Sequence, residues 1–506
     1  MASKIYSAAH VGLDAFLVEV EAETGGGELG SFTIVGLPDL AVQESKERVR
    51  SAIKNTGRDF PKVKVTVNLA PADIRKQGPS YDLPIAISIL QVTGYLPQII
   101  NLSDYLFLGE LALSGQVRPI NGVLPVALAS RGWGIKSIFV PRENAREAKL
   151  AKDLEVLPVD NLQDVLAHIL NLKKIKPQDA VHFEFNNIEV QSDMAYIRGQ
   201  EHVKRAMEIA AAGGHNMLMS GPPGSGKTLV AKTMPSILPD LLLEEALELT
   251  KIYSVAGKLK SGDSLVMSRP FRSPHHTTSG VALVGGGSWP KPGEISLAHR
   301  GVLFLDEFAE FSRQTLENLR QPLEDGIINV SRAAGTLTFP AKFILIAAMN
   351  PCPCGYATDP EKNCTCSSMQ LQNYKKKISG PIIDRIDLHI EVPRLNYEKL
   401  TSLRTSDDSG SIKKRVEIAR KIQAERFSKN GILTNSEMSS ENVKKYCNLD
   451  AETTDLMKNA VNHMQLSARS YFRILKVART IADLFGVENI EIAHLAEALQ
   501  YRPKAD

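Results

Sequence analysis

Eight consecutive residues constrain this chain more than any others. Gly221-Pro222-Pro223-Gly224-Ser225-Gly226-Lys227-Thr228 satisfies G-x-x-x-x-G-K-[ST], directly after the strand-like run His215 to Ser220 and before the helix-compatible Leu229 to Met234. The glycines let backbone amides converge on phosphate oxygens, Lys227 can reach the β- and γ-phosphates, and the Thr228 hydroxyl can bind Mg²⁺. A strand, a phosphate loop and a helix in that order imply an α/β domain with a parallel sheet and its site at the strands' C-terminal ends.

Two further apolar runs fit that sheet, and each ends in chemistry. Val302 to Leu305 runs into Asp306 and Glu307: the first carboxylate suits Mg²⁺, and the second can polarise an attacking water, so hydrolysis rather than mere binding is implied. Phe343 to Ala348 leads through Met349 to Asn350, whose amide can position that water.

The rest of the chain must be several more units of structure, because 506 residues exceed a single core. From about Ser3 to Leu170 short strands and helices alternate; Lys62 to Val67, with valines at every second position, reads as a strand buried on one face. A Lys- and Pro-bearing passage follows, and beyond Leu400 a Ser/Thr/Asp-rich stretch leads into helical sequence, where Ile474, Val477, Ala478, Ile481 and Phe485 recur at helical spacing. The expected organisation is an α+β domain over 1–170, a linker over 171–193, the α/β core over 194–395 and an all-α domain over 396–506.

Composition narrows the setting. A 43% apolar and 23% charged content excludes wholesale disorder, and a net charge of +3 leaves any nucleic-acid contact to local basic clusters. The first twenty residues read as mature protein, and runs such as Leu83 to Leu90 are far short of a bilayer span, so no membrane role is expected. Cys352, Cys354, Cys364 and Cys366 cluster while Cys447 stands alone, unlike a spaced disulfide framework, which favours a reducing, cytoplasmic setting. The two C-x-C pairs, nine residues apart, can give a tetrahedral Zn²⁺ four thiolates; free thiols and a redox disulfide are the alternatives.

These parts resemble the AAA+ ATPases, whose nucleotide is ATP with Mg²⁺ held through Thr228 and Asp306. Ile197-Arg198-Gly199-Gln200 with Ala206 looks like the segment packing near adenine, and Asn350 falls where the family's sensor-1 residue would. The spacing of 79 positions from Lys227 to Asp306, Gly- and Pro-rich from Ser279 to Pro292, resembles the branch with an insert in the second helix, shared by magnesium-chelatase motors and MCM helicases. In that branch the Gly380 to Asp387 segment carries an arginine finger, transferred here to Arg385, which would act on a neighbouring subunit's ATP; the plainer alternative is an ion pair with Asp384 or Asp387. Sensor 2 transfers to Arg469, with Arg473 next to it in rank. A finger acting in trans implies a ring, and the family's usual number is six.

Phe271 to His276, Pro292 to His299 and the four-cysteine segment extend the resemblance to the ComM/YifB group of Mg-chelatase-like ATPases over essentially the whole chain. That resemblance implies a Lon-protease-like front domain of ribosomal S5 domain 2-like fold, an AAA+ core and a helical lid. It also implies a homo-hexameric motor on single-stranded and branched DNA, promoting branch migration in natural transformation alongside recombination proteins. A chelatase- or chaperone-type motor remodelling a protein partner is the competing class. Ser80 sits where Lon-type proteases carry their serine, yet the position of the partner lysine holds Val126, so peptidase activity is not expected. Candidate DNA contacts are Trp289 and Lys291 in the insert and Arg332 in the Asn329 to Thr336 hairpin, against the plainer readings of core packing and solvated loops.

Overall fold

The structure, a computed structural model, describes residues 2–26, 30–181, 192–260, 263–287, 290–332, 335–359, 361–378, 380–394, 407–428 and 431–503. The chain divides into two compact units, Met1–Glu184 with Leu243–Met267, and Phe185–Leu242 with Ser268–Asp506.

The first unit is built on a seven-stranded mixed sheet in the order Phe32–Val35, Lys64–Ala70, Asp14–Gly25, Ala2–Val11, Tyr105–Phe107, Ser137–Pro141, Glu155–Val159. Ala2–Val11 and Asp14–Gly25 form an antiparallel hairpin, while the last three strands run parallel to one another. The expected strand at Lys62 to Val67 is realised as Lys64–Ala70, with Val65, Val67 and Leu69 buried at every second position. The run Leu83 to Leu90 is instead part of a helix, Asp82–Val92, apolar around its whole circumference because it lies inside the core. Its buried Asp82 is held by Arg48, with Nε donating at 2.6 Å and Nη2 at 3.1 Å. Leu243–Ala256 belongs to this unit although it follows the phosphate loop in sequence. Its Ser254 carbonyl accepts from the Gly122 amide at 3.2 Å, and a β-carbon on Gly257 would lie 2.8 Å from Nδ2 of Asn121.

The second unit carries an all-parallel five-stranded sheet in the order Phe271–Arg272, Val302–Leu305, Ile344–Met349, Met217–Ser220, Leu388–Glu391. The three apolar runs expected to be strands are its three central members. Buried Val302, Phe304, Ile346 and Met217 join the helix Glu201–Gly213 and the C-terminal helices in one core that includes Ile474, Val477, Ala478 and Ile481. Phe485, on the same helical spacing, is 62% exposed, because the helix Ala468–Phe485 ends there and its last ring lies under the Arg205 guanidinium instead. The described residues from Ser409 to Gln500 outside the connecting loops are helical.

A buried polar network ties those helices to the sheet. Asp483 accepts from Arg426 at 2.8 and 2.5 Å, from Arg479 Nε at 3.0 Å and from Asn435 Nδ2 at 2.8 Å. Asn435 also donates to Thr480, whose hydroxyl lies 2.8 Å from Nε2 of His215 at the foot of the phosphate-loop strand.

Candidate active site

The phosphate loop leaves its strand under tight steric limits. The Gly221 amide donates to the Met349 carbonyl at 3.2 Å, and a β-carbon at Gly221 would lie 2.1 Å from the Val392 carbonyl oxygen, so only glycine fits between the two neighbouring strands. Gly224 and Gly226 take φ of +76° and +88°, which turns the chain into the helix Lys227–Lys232. Pro222, Pro223 and Ser225 complete the loop, and the Ser225 carbonyl is braced by Gln200 Nε2 at 2.9 Å. Ile197 and Ala206 of the neighbouring segment are buried in the same core.

The side chains singled out by chemistry converge here. Lys227 is buried; its Nζ donates to the Gly221 and Pro222 carbonyls at 2.7 and 2.9 Å and lies 3.4 Å from Asn350 Oδ1. Burial lowers the Lys227 pKa, with the Asp306 charge acting the other way. The Thr228 hydroxyl donates to Asp306 Oδ2 at 2.7 Å, and the other oxygen of Asp306 accepts from the Glu307 amide at 2.9 Å. Glu307 has φ of +50°, a conformation rare outside glycine, which marks a position fixed by its surroundings. Its carboxylate is paired with Nδ1 of His276 at 3.0 Å. His276 packs against His275, the rings tilted by 35° with centroids 4.1 Å apart. Sequence reading gave His276 no part in the site, since nothing about adjacent histidines points to an acid 31 positions on.

Asn350, at the end of its strand, is held from the other side: Tyr374 donates from its hydroxyl to the Asn350 carbonyl at 3.1 Å. Burial, with the Glu310 charge next, raises the Tyr374 pKa to about 12, so this hydroxyl is a donor at any ordinary pH. The four clustered cysteines lie between Asn350 and Tyr374 in sequence, and their Sγ atoms all fall within 4.8 Å of one another. None is in a disulfide. Amides of Tyr356 and Thr365 pull the Cys354 thiol down to about 6.

Arg385 pairs with neither Asp384 nor Asp387. Its guanidinium donates to the Pro381 carbonyl at 2.6 Å and to the carboxylate of Glu324, while Asp387 is taken by His215 at 3.3 Å and the Asn216 amide at 3.2 Å. Arg469 approaches the same Glu324 at 3.6 Å and is 59% exposed. Arg473 is committed elsewhere, donating to the Ile386 carbonyl at 2.6 Å, and burial lowers its pKa. Glu324 was not singled out by its sequence; an acid on a short helix, here followed by Asp325, carries no signal.

The DNA candidates are less fully placed. Lys291 is exposed, in a two-residue strand paired with Gly285–Gly286. Trp289 lies outside the described residues. Arg332 ends the first strand of an antiparallel hairpin, Ile327–Arg332 with Gly335–Pro340, as expected, and its side chain also lies outside the described residues. In the first unit, Ser80 sits in the single turn Pro79–Tyr81, and Val126 is buried in the helix Val123–Ser130. Among the described residues no helix is long and apolar enough to cross a membrane.

Comparison with known proteins accounts for this arrangement along the whole chain. Residues 193–400 match the magnesium chelatase subunit ChlI family, residues 18–144 the family of subunit ChlI of Mg-chelatase, and residues 406–502 the ChlI C-terminal family. Competence protein ComM of Haemophilus influenzae is 43% identical over 505 residues, spanning 98% of this chain and 97% of that protein. YifB of Escherichia coli K12 is 42% identical over 504 residues, spanning 99% and 97%. Lon protease 1 of Myxococcus xanthus is 31% identical over 157 residues, 29% of this chain and 19% of that protein. Such a Mg-chelatase-like AAA+ architecture implies an ATPase, and with identity above 40% along its full length to both ComM and YifB, the chain belongs to the ComM/YifB family of Mg-chelatase-like proteins.

Proposed function

We propose that this protein is a Mg²⁺-dependent ATPase that assembles as a hexameric ring and drives branch migration of DNA during recombination of transformed strands. One observation carries the ATPase part: Lys227, Thr228, Asp306 and Asn350 meet at the C-terminal edge of one parallel sheet, with Glu307 next in chain. The donors fit the metal, since Thr228 and Asp306 oxygens 2.7 Å apart are close to the separation of adjacent ligands around an ion bonded at about 2.1 Å. When bound, Mg²⁺ would neutralise charge on the β- and γ-phosphates.

The chain's own residues supply the rest. Lys227 exchanges its two carbonyl partners for phosphate oxygens, and Asn350 orients a water in line with the γ-phosphorus. Glu307 leaves His276 and takes that water's proton as the P–O bond to the nucleoside diphosphate breaks. Arg385 of one subunit completes the neighbour's site, and the sharing of Glu324 by Arg385 and Arg469 supports their acting together at the same seam. Zn²⁺ in the four-cysteine site, a lid role for the helical end and a cytoplasmic setting complete the reading. Lys291, Trp289 and Arg332 are its DNA contacts, meeting phosphates without reading bases. Ser80 without a lysine at the position of Val126 supports a non-proteolytic front domain.

The DNA part rests on the likeness to a competence protein. Its test is strand exchange on a synthetic three-strand or four-way junction, with ATP against a non-hydrolysable analogue, beside ATP turnover with and without DNA. ATP-dependent exchange and DNA-stimulated turnover are expected; turnover indifferent to saturating DNA but raised by a protein partner would replace this reading with that of a protein-remodelling motor.

A further inference from the structure

The segment between Asn350 and the helix Ser368–Lys377 contains no helix or strand among its described residues, and only Cys352 and Gly355 are buried there. A loop this long with so little apolar burial does not offset its own ordering entropy. Arg394 adds ion contacts to the buried side chain of Asp359 at 3.8 Å and to the exposed Glu361 at 3.6 Å, both too long for a direct hydrogen bond. The four thiols are the tie that joins its two ends. Sγ separations are 3.3 Å for Cys352 and Cys354, 3.7 Å for Cys352 and Cys364, and 3.6 Å for Cys354 and Cys364. Zinc bonded tetrahedrally at about 2.3 Å to sulfur sets its ligands about 3.8 Å apart, so a small inward or outward adjustment closes the site.

The loop lies against the nucleotide machinery at two places. Gly355 takes φ of +87°, and a β-carbon there would lie 2.6 Å from Cδ and 2.7 Å from Cγ of Pro223, so its bare backbone rests on the proline ring of the phosphate loop. Beyond Cys366, Ser367 caps the next helix in a reciprocal box with Gln370, and that helix delivers Tyr374 to the Asn350 carbonyl. Cys352 itself is two residues from Asn350. The knuckle thus touches the phosphate loop through Gly355 and grips the water-positioning residue from both directions.

We infer that the Cys352–Cys366 knuckle, closed on zinc, is a brace that holds Pro223 and Asn350 in their nucleotide-competent positions, so that metal occupancy sets the affinity for ATP. The inference rests on the ATPase reading of the site. Loss of the metal frees the loop, withdraws Gly355 from Pro223 and leaves the phosphate loop to sample positions in which its amides no longer converge. The knuckle is then a positioning element acting through the loop, not a participant in hydrolysis.

The test uses the full-length protein and a fluorescent ATP analogue, with metal content and helical signal measured on each sample. Purified protein should carry about one zinc per chain. Chelation under reducing conditions should weaken analogue binding about ten-fold or more while the helical signal persists, and added zinc should restore it. Cys364→Ser, which removes the ligand arm farther along the loop, should reproduce the loss without rescue by zinc. Should that variant fail to fold, Gly355→Ala decides the matter: it keeps all four thiols, so it should retain zinc yet lose affinity, because the added methyl pushes against Pro223. Folded, zinc-free protein that binds the analogue as tightly as the loaded form overturns the inference, as does Gly355→Ala with unchanged affinity or a native protein without zinc. These readouts are separate from DNA: zinc-replete protein that binds ATP normally but ignores DNA would defeat the proposed function and leave the brace standing.

Discussion

On the proposed reading, in which Arg385 is an arginine finger acting on a neighbouring subunit, Glu324 offers the sharpest test of how that finger is controlled. In the single chain, Arg385 and Arg469 both turn toward this one carboxylate, and the Arg385 hydrogen bond holds the Glu324 carboxyl below the usual carboxylate range. A finger bound for a neighbour's γ-phosphate must first leave Glu324, so the pair opposes engagement. Glu324 is 52% exposed, so solvent screens the pair and it is worth about 1 kcal/mol, a factor of about five in the fraction of free finger. Glu324→Gln keeps the size and removes the charge, leaving the Arg385 bond to the Pro381 carbonyl in place. Its ATP turnover at saturating DNA should rise up to about five-fold wherever finger engagement limits the rate, and the advantage should shrink at high salt, where the wild-type pair is already screened. Arg385→Ala, in contrast, should lose about three orders of magnitude. The assay is steady-state hydrolysis at low and high ionic strength for all three proteins. A Glu324→Gln enzyme that falls toward Arg385→Ala would refute the argument and make Glu324 a support for the productive finger.

Glu307→Gln should bind ATP normally and lose about 10² to 10⁴ in turnover, whereas Lys227→Ala should weaken binding itself; equilibrium binding beside single-turnover hydrolysis separates the two. Asp483→Asn leaves the Arg426 and Arg479 guanidiniums facing each other without a counter-charge, and should cost about 3–5 kcal/mol in urea unfolding of the second unit; a loss under about 1 kcal/mol would show that the arginines relax apart. Burial pushes the His389 imidazole down to about 4, from about 6.5 when unfolded, so between these values the unfolded chain binds the extra proton. The second unit should therefore lose up to about 3 kcal/mol as pH falls from about 6.5 to about 4, with no further loss from this group below that. His389→Gln should flatten that part of the pH profile, and an unchanged slope would assign it to other groups.

What the sequence disclosed and what it withheld divide along a physical line. The phosphate loop, Asp306 with Glu307, and Asn350 were legible because each function is met by residues within one short stretch, at the end of an apolar run whose length and composition announce a strand. Other contacts of the candidate site residues join points far apart in sequence: His276 with Glu307, Gly355 with Pro223, Glu324 with Arg385 and Arg469. None has a periodicity, and each involves a residue type common in loops, so only the fold brings them together. The helix Leu243–Ala256 makes the same point at larger scale. Its apolar Ala246, Leu249, Ile252 and Val255 guarantee burial somewhere, but which core receives them depends on contacts such as the Gly122 amide meeting the Ser254 carbonyl, which a one-dimensional pattern does not encode. The chain thus leaves the phosphate-loop unit after Leu242 and returns to it at Ser268, and no change of apolar pattern marks either crossing, because burial in one core and burial in another call for the same residues.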